Sequence, residues 1–186
     1  MRKVLLFMMV TLDGYYEGRD HDINWHNVDA EFNDFAIAQL NEVDTLLFGR
    51  RTYEMMASYW PTPGAKQDDP IVAGKMNSLP KIVFSNTLST VGWENTRLVK
   101  GSFAQEISAL KAESGKDLII FGSSDLAVTF LQQELLDECR IMVNPVILGA
   151  GKTLFEGIDE KLNLKLVNTK SFRSGNVLLY YQPGKE

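Results

Sequence analysis

The sequence predicts an α/β fold built on a mixed, mainly parallel sheet of about eight strands. In the first two thirds of the 186 residues, short apolar runs alternate with segments of helical periodicity, which requires right-handed crossovers between parallel strands. In the last third, longer strand-like runs follow one another without a helix between them, which adds antiparallel strands. No repeat or linker divides the chain, so we expect one domain over residues 1–186.

Each element is predicted from its own local pattern. Apolar, β-prone runs indicate strands at residues 3–10, 45–49, 81–85, 97–99, 117–121, 139–146, 162–172 and 176–182. Periodic segments indicate helices at residues 29–41, 50–58, 70–77 and 102–113, and a further helix that follows Gly122-Ser123-Ser124 and ends at Gln133. The first helix has an apolar stripe formed by Phe32, Phe35, Ala36, Leu40 and Val43. A proline-containing loop is expected around residues 61–64, and turns at Asp13-Gly14 and over residues 173–176.

The composition excludes several classes of site. A single cysteine, Cys139, rules out an intramolecular disulfide and a cysteine-rich zinc site, and two histidines rule out a three-histidine metal site. The net charge of -5 argues against a surface for nucleic acid or anionic membranes. The apolar run at the start lacks a cleavage site, so it is interpreted as a strand rather than a signal peptide, and a cytoplasmic protein is expected.

Two strand-to-helix junctions have the character of anion-binding sites. In a parallel sheet, ligands bind at the carboxyl ends of the strands, where the following helices begin and present free N–H groups. The first junction consists of Gly49, Arg50, Arg51 and Thr52, which combine close backbone approach, two guanidinium groups and a hydroxyl. A surface helix with solvated arginines would produce the same pattern.

The second junction consists of Gly122, Ser123, Ser124 and Asp125. Capping of the next helix by Ser124 or Asp125 would explain the same residues. A third strand ends in the small polar residues Ser85 and Asn86 on the same edge of the sheet. Two helix N-termini with an arginine pair suit a dinucleotide that carries an extra phosphate, which predicts NADPH rather than NADH as the cofactor.

Other motifs do not meet their requirements. Residues 149–153 end like a Walker A loop, but Val146 stands where that loop requires a glycine. The sequence has no G-x-G-x-x-G fingerprint of a Rossmann fold. Cys139 lies in a strand pattern and is expected in the core rather than in catalysis.

Five segments together resemble the dihydrofolate-reductase-like superfamily, and most closely the C-terminal reductase domain of bifunctional riboflavin-biosynthesis deaminase/reductases. The segments are residues 11–15 (TLDGY), 47–54 (LFGRRTYE), 83–88 (VFSNTL), 121–123 (FGS) and 136–138 (LDE) leading to 145–151 (PVILGAG). They follow the family's order and span most of the chain. The resemblance implies a three-layer fold around the mixed sheet and NADPH as the hydride donor.

The resemblance also implies roles for particular residues. Gly49, Arg50, Arg51 and Thr52 would hold the cofactor phosphates, and Ser85 and Asn86 would flank the 2′-phosphate of the adenosine. Gly122, Ser123, Ser124 and Asp125 would meet the pyrophosphate, and the backbone near Met9 and Val10 would meet the nicotinamide amide.

A carboxylate on the substrate side is expected near the start of the first helix. In dihydrofolate reductases such a group follows a tryptophan, binds the pterin and supports its protonation; here Trp25 is followed by Asp29 and Glu31. By angular position Asp29 falls close to the apolar stripe of the helix and Glu31 at its edge, so Asp29 is the first candidate and Glu31 the second. Asp29 could equally be the helix cap.

These patterns and the resemblance predict an NADPH-dependent reductase of a heterocyclic or ribosylaminopyrimidine substrate, resembling 5-amino-6-(5-phosphoribosylamino)uracil reductase. Reduction of dihydrofolate or another dihydropteridine, and non-catalytic nucleotide binding, are the alternatives. A homodimer is also expected, because the apolar runs at residues 139–147 and 177–181 exceed what one face of a sheet hides. The resemblance points to dimers as well.

Overall fold

The computed structural model describes residues 1–184, which form ten strands and six α-helices. The strands are β1 (Val4–Thr11), β2 (Tyr15–Glu17), β3 (Val43–Gly49), β4 (Lys81–Phe84), β5 (Thr96–Val99), β6 (Asp117–Phe121), β7 (Glu138–Asn144), β8 (Lys152–Thr153), β9 (Leu164–Ser171) and β10 (Val177–Pro183). The helices are α1 (Ala30–Glu42), α2 (Arg50–Tyr59), α3 (Pro63–Asp68), α4 (Pro70–Ser78), α5 (Phe103–Ala112) and α6 (Ser124–Gln132).

Eight strands form one sheet in the order β5-β4-β3-β6-β1-β7-β10-β9. The strands from β5 to β7 in this order run parallel, and β10 and β9 are antiparallel to their neighbours. A separate antiparallel pair joins β2 to β8. The predicted α/β fold with a mixed, mainly parallel sheet and antiparallel C-terminal strands is therefore confirmed.

The two faces of the sheet carry separate hydrophobic cores. Alternate residues of β1 point to opposite faces: Leu6 and Met8 pack in the core with α5 and α6, whereas Phe7 and Met9 pack in the core with α1, α2 and α4. Every residue of β1 is buried, and burial on both faces explains why the strand is a continuous apolar run. Cys139 lies in the first core, where burial raises the pKa of its thiol to about 12, as expected for a structural cysteine.

Helix α1 differs in detail from its predicted stripe. Phe35 and Leu40 are buried as expected, while Phe32 and Ala36 are only half-buried. Val43 does not belong to the helix, because the backbone becomes extended there and Val43 begins β3. The apolar pattern simply continues from the helix into the next strand.

The prediction of a loop around residues 61–64 is wrong at its end, since α3 begins at Pro63. The Thr62 hydroxyl accepts a hydrogen bond from the Ala65 amide at 3.2 Å, and proline suits the first turn of a helix because its missing N–H has no partner there anyway. Ala65 is the one buried side chain of α3, so the sequence has no apolar stripe that would predict this helix.

Among the helices described, none is long and apolar enough to cross a membrane. Within residues 1–184, no group of three or more His, Cys, Asp and Glu side chains is placed to hold a metal ion.

Candidate functional site

The two predicted anion-binding junctions lie side by side. Strands β3 and β6 are adjacent and parallel, with Leu47 opposite Ile120, so α2 and α6 begin at the same edge of the sheet. A Cβ atom added to Gly49 would lie 2.7 Å from the Ser123 hydroxyl. The backbone of Gly49 is ordinary, with φ at -78°, so its lack of a side chain matters for this close approach rather than for conformation.

These two helices differ from the others in how they begin. The other four have N-cap side chains that accept a hydrogen bond from a first-turn amide, namely Asp29 for α1, Thr62 for α3, Asp69 for α4 and Ser102 for α5. The N-cap residues of α2 and α6 are Gly49 and Ser123, and neither makes such a bond. The alternative that Ser124 or Asp125 caps α6 is therefore wrong. Both helices leave first-turn N–H groups free for an anion.

A cavity of about 310 Å³ lies at these helix starts. It is lined by Gly49, Arg50, Arg51, Phe84, Phe103, Ser123, Asp125, Leu126 and Thr129. Both arginines are exposed, and neither guanidinium forms an ion pair with a residue between 1 and 184. The cavity therefore combines two uncommitted positive charges with two open helix N-termini, which favours a ligand carrying several negative charges.

The cavity also contains residues that the sequence analysis did not identify. The rings of Phe84 and Phe103 meet with their centroids 4.8 Å apart and form an apolar wall. Thr129 lies one helical turn after Asp125 on α6, a spacing that could have suggested it. Nothing in the local pattern around Phe103 distinguishes it from an ordinary core residue.

Thr52 and Gly122 connect the cavity to strand β1. Gly122 has a φ of +67°, and a Cβ atom there would lie 3.3 Å from the Thr52 hydroxyl and 3.5 Å from the sulfur of Met8. Glycine is therefore required both by the backbone conformation and by the crowding. The peptide bond between Gly122 and Ser123 is cis. The hydroxyl of Ser124 is fully buried and has no hydrogen-bond partner among the described residues.

The pairing of β1 with β6 stops before the carboxyl end of β1. The pairing of β1 with β6 ends at Phe7 opposite Phe121, whereas its pairing with β7 continues to Thr11 opposite Asn144. The backbone around Met9 and Val10 thus lacks a strand partner on the β6 side within residues 1–184. Backbone groups that no strand pairs on that side suit a planar ring that carries an amide, although the Val10 carbonyl already accepts a hydrogen bond from the Asn144 side chain at 3.4 Å.

Ser85 and Asn86 follow β4 on the same edge of the sheet but do not line the cavity. The Ser85 hydroxyl is buried and accepts hydrogen bonds from the amides of Thr87 at 3.2 Å and Leu88 at 3.1 Å. The Asn86 side chain accepts a hydrogen bond from the Gly101 amide at 3.1 Å. In the structure Ser85 holds the start of the connection between β4 and β5, and Asn86 ties that connection to the segment after β5.

The two candidate carboxylates also have structural hydrogen bonds. Asp29 Oδ1 accepts from the Phe32 amide at 2.8 Å and caps α1. Glu31 Oε2 accepts from the Arg173 amide at 2.9 Å, which ties α1 to the hairpin turn between β9 and β10. Each carboxylate uses one of its oxygens in these bonds, and neither residue lines the cavity at α2 and α6.

A cluster of buried polar groups lies near the end of β7 and was not predicted. The Asn27 amide donates to Asn144 Oδ1 at 2.9 Å, and the Asn176 side chain donates to the Asn27 carbonyl at 2.8 Å. In the neighbouring residue His26, burial lowers the pKa to about 4, partly opposed by the charge of Asp22. His26 Nε2 and Asn176 Oδ1 are buried without a partner in the described chain.

Comparison with known proteins finds similar chains over almost the whole length. The profile of the RibD C-terminal domain family matches residues 2–178. The uncharacterized protein YyaP of Bacillus subtilis is 35% identical over 186 residues, an alignment that covers 97% of this chain and 94% of YyaP. A candidate riboflavin biosynthesis protein from Shewanella sp. PV-4 has a structure with a TM-score of 0.77 at 26% identity, covering 98% of this chain and 99% of that chain.

Two solved structures of lower identity share the fold. The deaminase/5-amino-6-(5-phosphoribosylamino)uracil reductase of Thermotoga maritima has a TM-score of 0.69 at 16% identity, covering 98% of this chain and 57% of that chain. Dihydrofolate reductase from Enterococcus faecalis, complexed with NADP(H), has a TM-score of 0.65 at 16% identity, covering 98% of this chain and 97% of that chain.

Proposed function

This chain belongs to the RibD C-terminal domain family, and on that premise we propose that it is an NADPH-dependent reductase of a heterocyclic substrate, with a ribosylaminopyrimidine as the first candidate. The family and the structures that share its fold are of the reductase type. The choice of a ribosylaminopyrimidine is supported by the riboflavin-biosynthesis names of the Shewanella and Thermotoga proteins.

The observation that carries the proposal is the pair of uncapped helices that begin at one cavity. Four helices of the described chain satisfy a first-turn amide with their own N-cap side chain, and only α2 and α6, which meet at Gly49 and Ser123, do not. Phosphate oxygens would supply the missing acceptors, and Arg50 and Arg51 would balance their charge.

The residues fit a nicotinamide dinucleotide in a definite order along the sheet edge. Gly49, Arg50, Arg51 and Thr52 would hold phosphates at α2, and Gly122, Ser123, Ser124 and Asp125 would meet the pyrophosphate at α6. The backbone at Met9 and Val10, beyond the end of the pairing with β6, would bind the nicotinamide amide. Ser85 and Asn86 would flank the 2′-phosphate from the end of β4. When bound, the cofactor supplies the hydride, while the protein orients the rings and excludes water.

Asp29 is our first candidate for the carboxylate that binds the substrate, and Glu31 the second. Asp29 caps α1 through Oδ1, which leaves Oδ2 available to hold a ring N–H of the substrate. The cap fixes the rotamer of the side chain, so the structural role and the substrate role are compatible.

The test of this function has two parts. Calorimetric titration should give an affinity for NADPH that is about ten- to a hundredfold higher than the affinity for NADH. This ratio is the effect expected from one charge-assisted hydrogen bond to the 2′-phosphate. Arg50→Gln or Arg51→Gln should reduce this preference by weakening NADPH binding more than NADH binding. Equal binding of the two cofactors by the wild-type protein would contradict NADPH dependence.

NADPH oxidation is then compared with a ribosylaminopyrimidine and with dihydrofolate as substrates. The proposal predicts turnover of the ribosylaminopyrimidine. Turnover of dihydrofolate alone would favour a dihydropteridine reductase, and NADPH binding without turnover of any heterocycle would favour a nucleotide-binding protein without catalysis.

We further propose that the protein is a homodimer joined through β10 and β9. Val177 and Leu179 pair with Val143 and Ile141 of β7, so these side chains share one face, and all but Ile141 are only half-buried. At the sheet edge Leu164 and Leu166 of β9 are 40% and 49% exposed. Such an apolar surface is typical of an interface between copies of one chain.

Sedimentation equilibrium tests the dimer. The wild-type protein should have twice the chain mass of 21.0 kDa, and Leu166→Glu should dissociate it. Ile71→Glu on α4 is the matched control, because Ile71 is 55% exposed and lies outside this surface. A wild-type mass of 21.0 kDa at micromolar concentration would refute the dimer.

A further inference from the structure

Strand β8 carries a lysine to the start of α6. Lys152 pairs with Glu17 of β2, and its Nζ lies 3.0 Å from Asp125 Oδ1. The same Nζ is 5.8 Å from the centroid of the Tyr16 ring. Lys152 belongs to the Gly-Ala-Gly-Lys-Thr segment that resembles the end of a Walker A loop, although that loop is absent.

The position of Lys152 is built into the fold. A Cβ atom on Gly151 would lie 2.2 Å from the Glu17 carbonyl oxygen, so only glycine lets β8 come this close to β2. The preceding loop is anchored by Asp13, whose carboxylate accepts hydrogen bonds from the Gly149 amide at 2.8 Å and the Thr11 hydroxyl at 2.6 Å. These contacts position the backbone of Lys152 independently of its ion pair.

The ion pair places Lys152 beside a side chain that lines the cavity, although Lys152 itself is not a lining residue. Asp125 is the one acidic residue among the cavity-lining side chains, and it lies in the first turn of α6. Its carboxylate would by itself repel a phosphate at this helix end, although Arg50 and Arg51 also line the cavity. Lys152 supplies the compensating charge, and an ammonium has three N–H donors, of which Asp125 takes one.

We propose that Lys152 is a further phosphate-binding residue of this site, which holds Asp125 with one donor and the cofactor pyrophosphate with another. This inference rests on the proposed function. It adds a third cation to Arg50 and Arg51, and it gives the Lys152 segment a role that the sequence analysis left open. It also explains how an aspartate can stand at a helix start that is to receive an anion.

The experiment measures NADPH affinity by titration calorimetry in five proteins: the wild type, Lys152→Gln, Asp125→Asn, the double variant and the control Lys3→Gln. Lys152→Gln should weaken binding about tenfold, the lower end of the effect of a charge-assisted hydrogen bond at a partly exposed site. Lys3→Gln is the matched control, because this substitution removes the same charge from an exposed residue just before the opposite end of β1. The control variant should bind NADPH as tightly as the wild type does. Melting temperatures should be nearly equal, since an exposed ion pair contributes little to stability.

The double variant separates a direct contact from mere charge compensation. If Lys152 binds the phosphate itself, Lys152→Gln weakens binding in the Asp125→Asn background as well. Equal affinity of the double variant and Asp125→Asn would overturn the inference, as would unchanged affinity of Lys152→Gln, and both results leave the proposed function intact. Failure of the wild-type protein to bind NADPH would instead overturn the proposed function and this inference with it.

Discussion

Replacement of Ser123 by aspartate should stabilise the free protein and weaken NADPH binding at the same time. Ser123 has the extended backbone of an N-cap residue, with φ at -90° and ψ at 169°, but its hydroxyl caps nothing. An aspartate there can accept a hydrogen bond from a first-turn amide of α6 and interacts favourably with the positive end of the helix. We expect a gain of about 1 kcal/mol, which raises Tm by roughly 2–4 °C in a chain of this length.

The same carboxylate would occupy the place that we assign to a phosphate. Two unit charges about 4 Å apart repel by about 4 kcal/mol at an effective dielectric constant near 20. Solvent in the open cavity screens part of this repulsion, so we expect NADPH to bind about a hundredfold more weakly, a loss of about 2.7 kcal/mol.

Thermal unfolding without ligand and calorimetric titration with NADPH measure the two effects in Ser123→Asp. Thr62→Asp is the control, because Thr62 already caps α3 and lies outside the cavity, so neither Tm nor affinity should change much. A variant that is merely misfolded would lose both stability and affinity. Higher Tm with unchanged NADPH affinity would refute the assignment of the α6 N-terminus to a phosphate.

Two further predictions concern the first helix and the buried histidine. Asp29→Asn keeps the helix cap, so Tm should stay unchanged while turnover falls by roughly 10²–10⁴-fold. Asp29→Ala also removes the cap and should in addition lose about 1 kcal/mol of stability. Normal turnover of Asp29→Asn would shift the substrate role to Glu31. For His26, burial lowers the pKa from 6.5 to about 4, so the unfolded chain takes up the proton first and stability falls as the pH drops from 6.5 toward 4. In denaturant titrations at both pH values, the free energy of unfolding of His26→Phe should fall by about 3 kcal/mol less than that of the wild type. An equal fall in variant and wild type would contradict the prediction.

The parallel part of the fold could be predicted because its strands are buried on both faces. Continuous apolar runs such as residues 3–10 have no other simple explanation in a chain of this composition, and each is followed by a helical pattern. The two junctions at Gly49 and Gly122 could be located for the same reason, because a helix that follows a buried parallel strand begins at the edge of the sheet formed by the carboxyl ends of the strands.

Contacts between distant segments could not be predicted. Strands β2 and β8 have only three and two residues, too few for a periodicity, and they bring Lys152 to Asp125 through a pairing that no local pattern encodes. The bond between Glu31 and the Arg173 amide likewise depends on how the last hairpin packs against α1. By contrast, α3 could have been predicted locally, because a threonine followed by a proline, here Thr62 and Pro63, is typical of a helix start even where the helix has no apolar stripe.

The absence of side-chain caps at α2 and α6 also required the structure. Ser124 and Asp125 are both good capping residues, and the sequence alone favours such a role as much as ligand binding. The structure places the N-cap one residue earlier, at Ser123, and directs its hydroxyl to the neighbouring Gly49 instead of to the helix.

A crystal structure of the protein with NADPH tests the central claim most directly. We expect phosphate oxygens within about 3.2 Å of first-turn backbone nitrogens at both α2 and α6, with a guanidinium of Arg50 or Arg51 on the 2′-phosphate or the pyrophosphate. We also expect the nicotinamide beside the backbone of Met9 and Val10. Phosphates bound elsewhere, with both helix N-termini left to solvent, would contradict it.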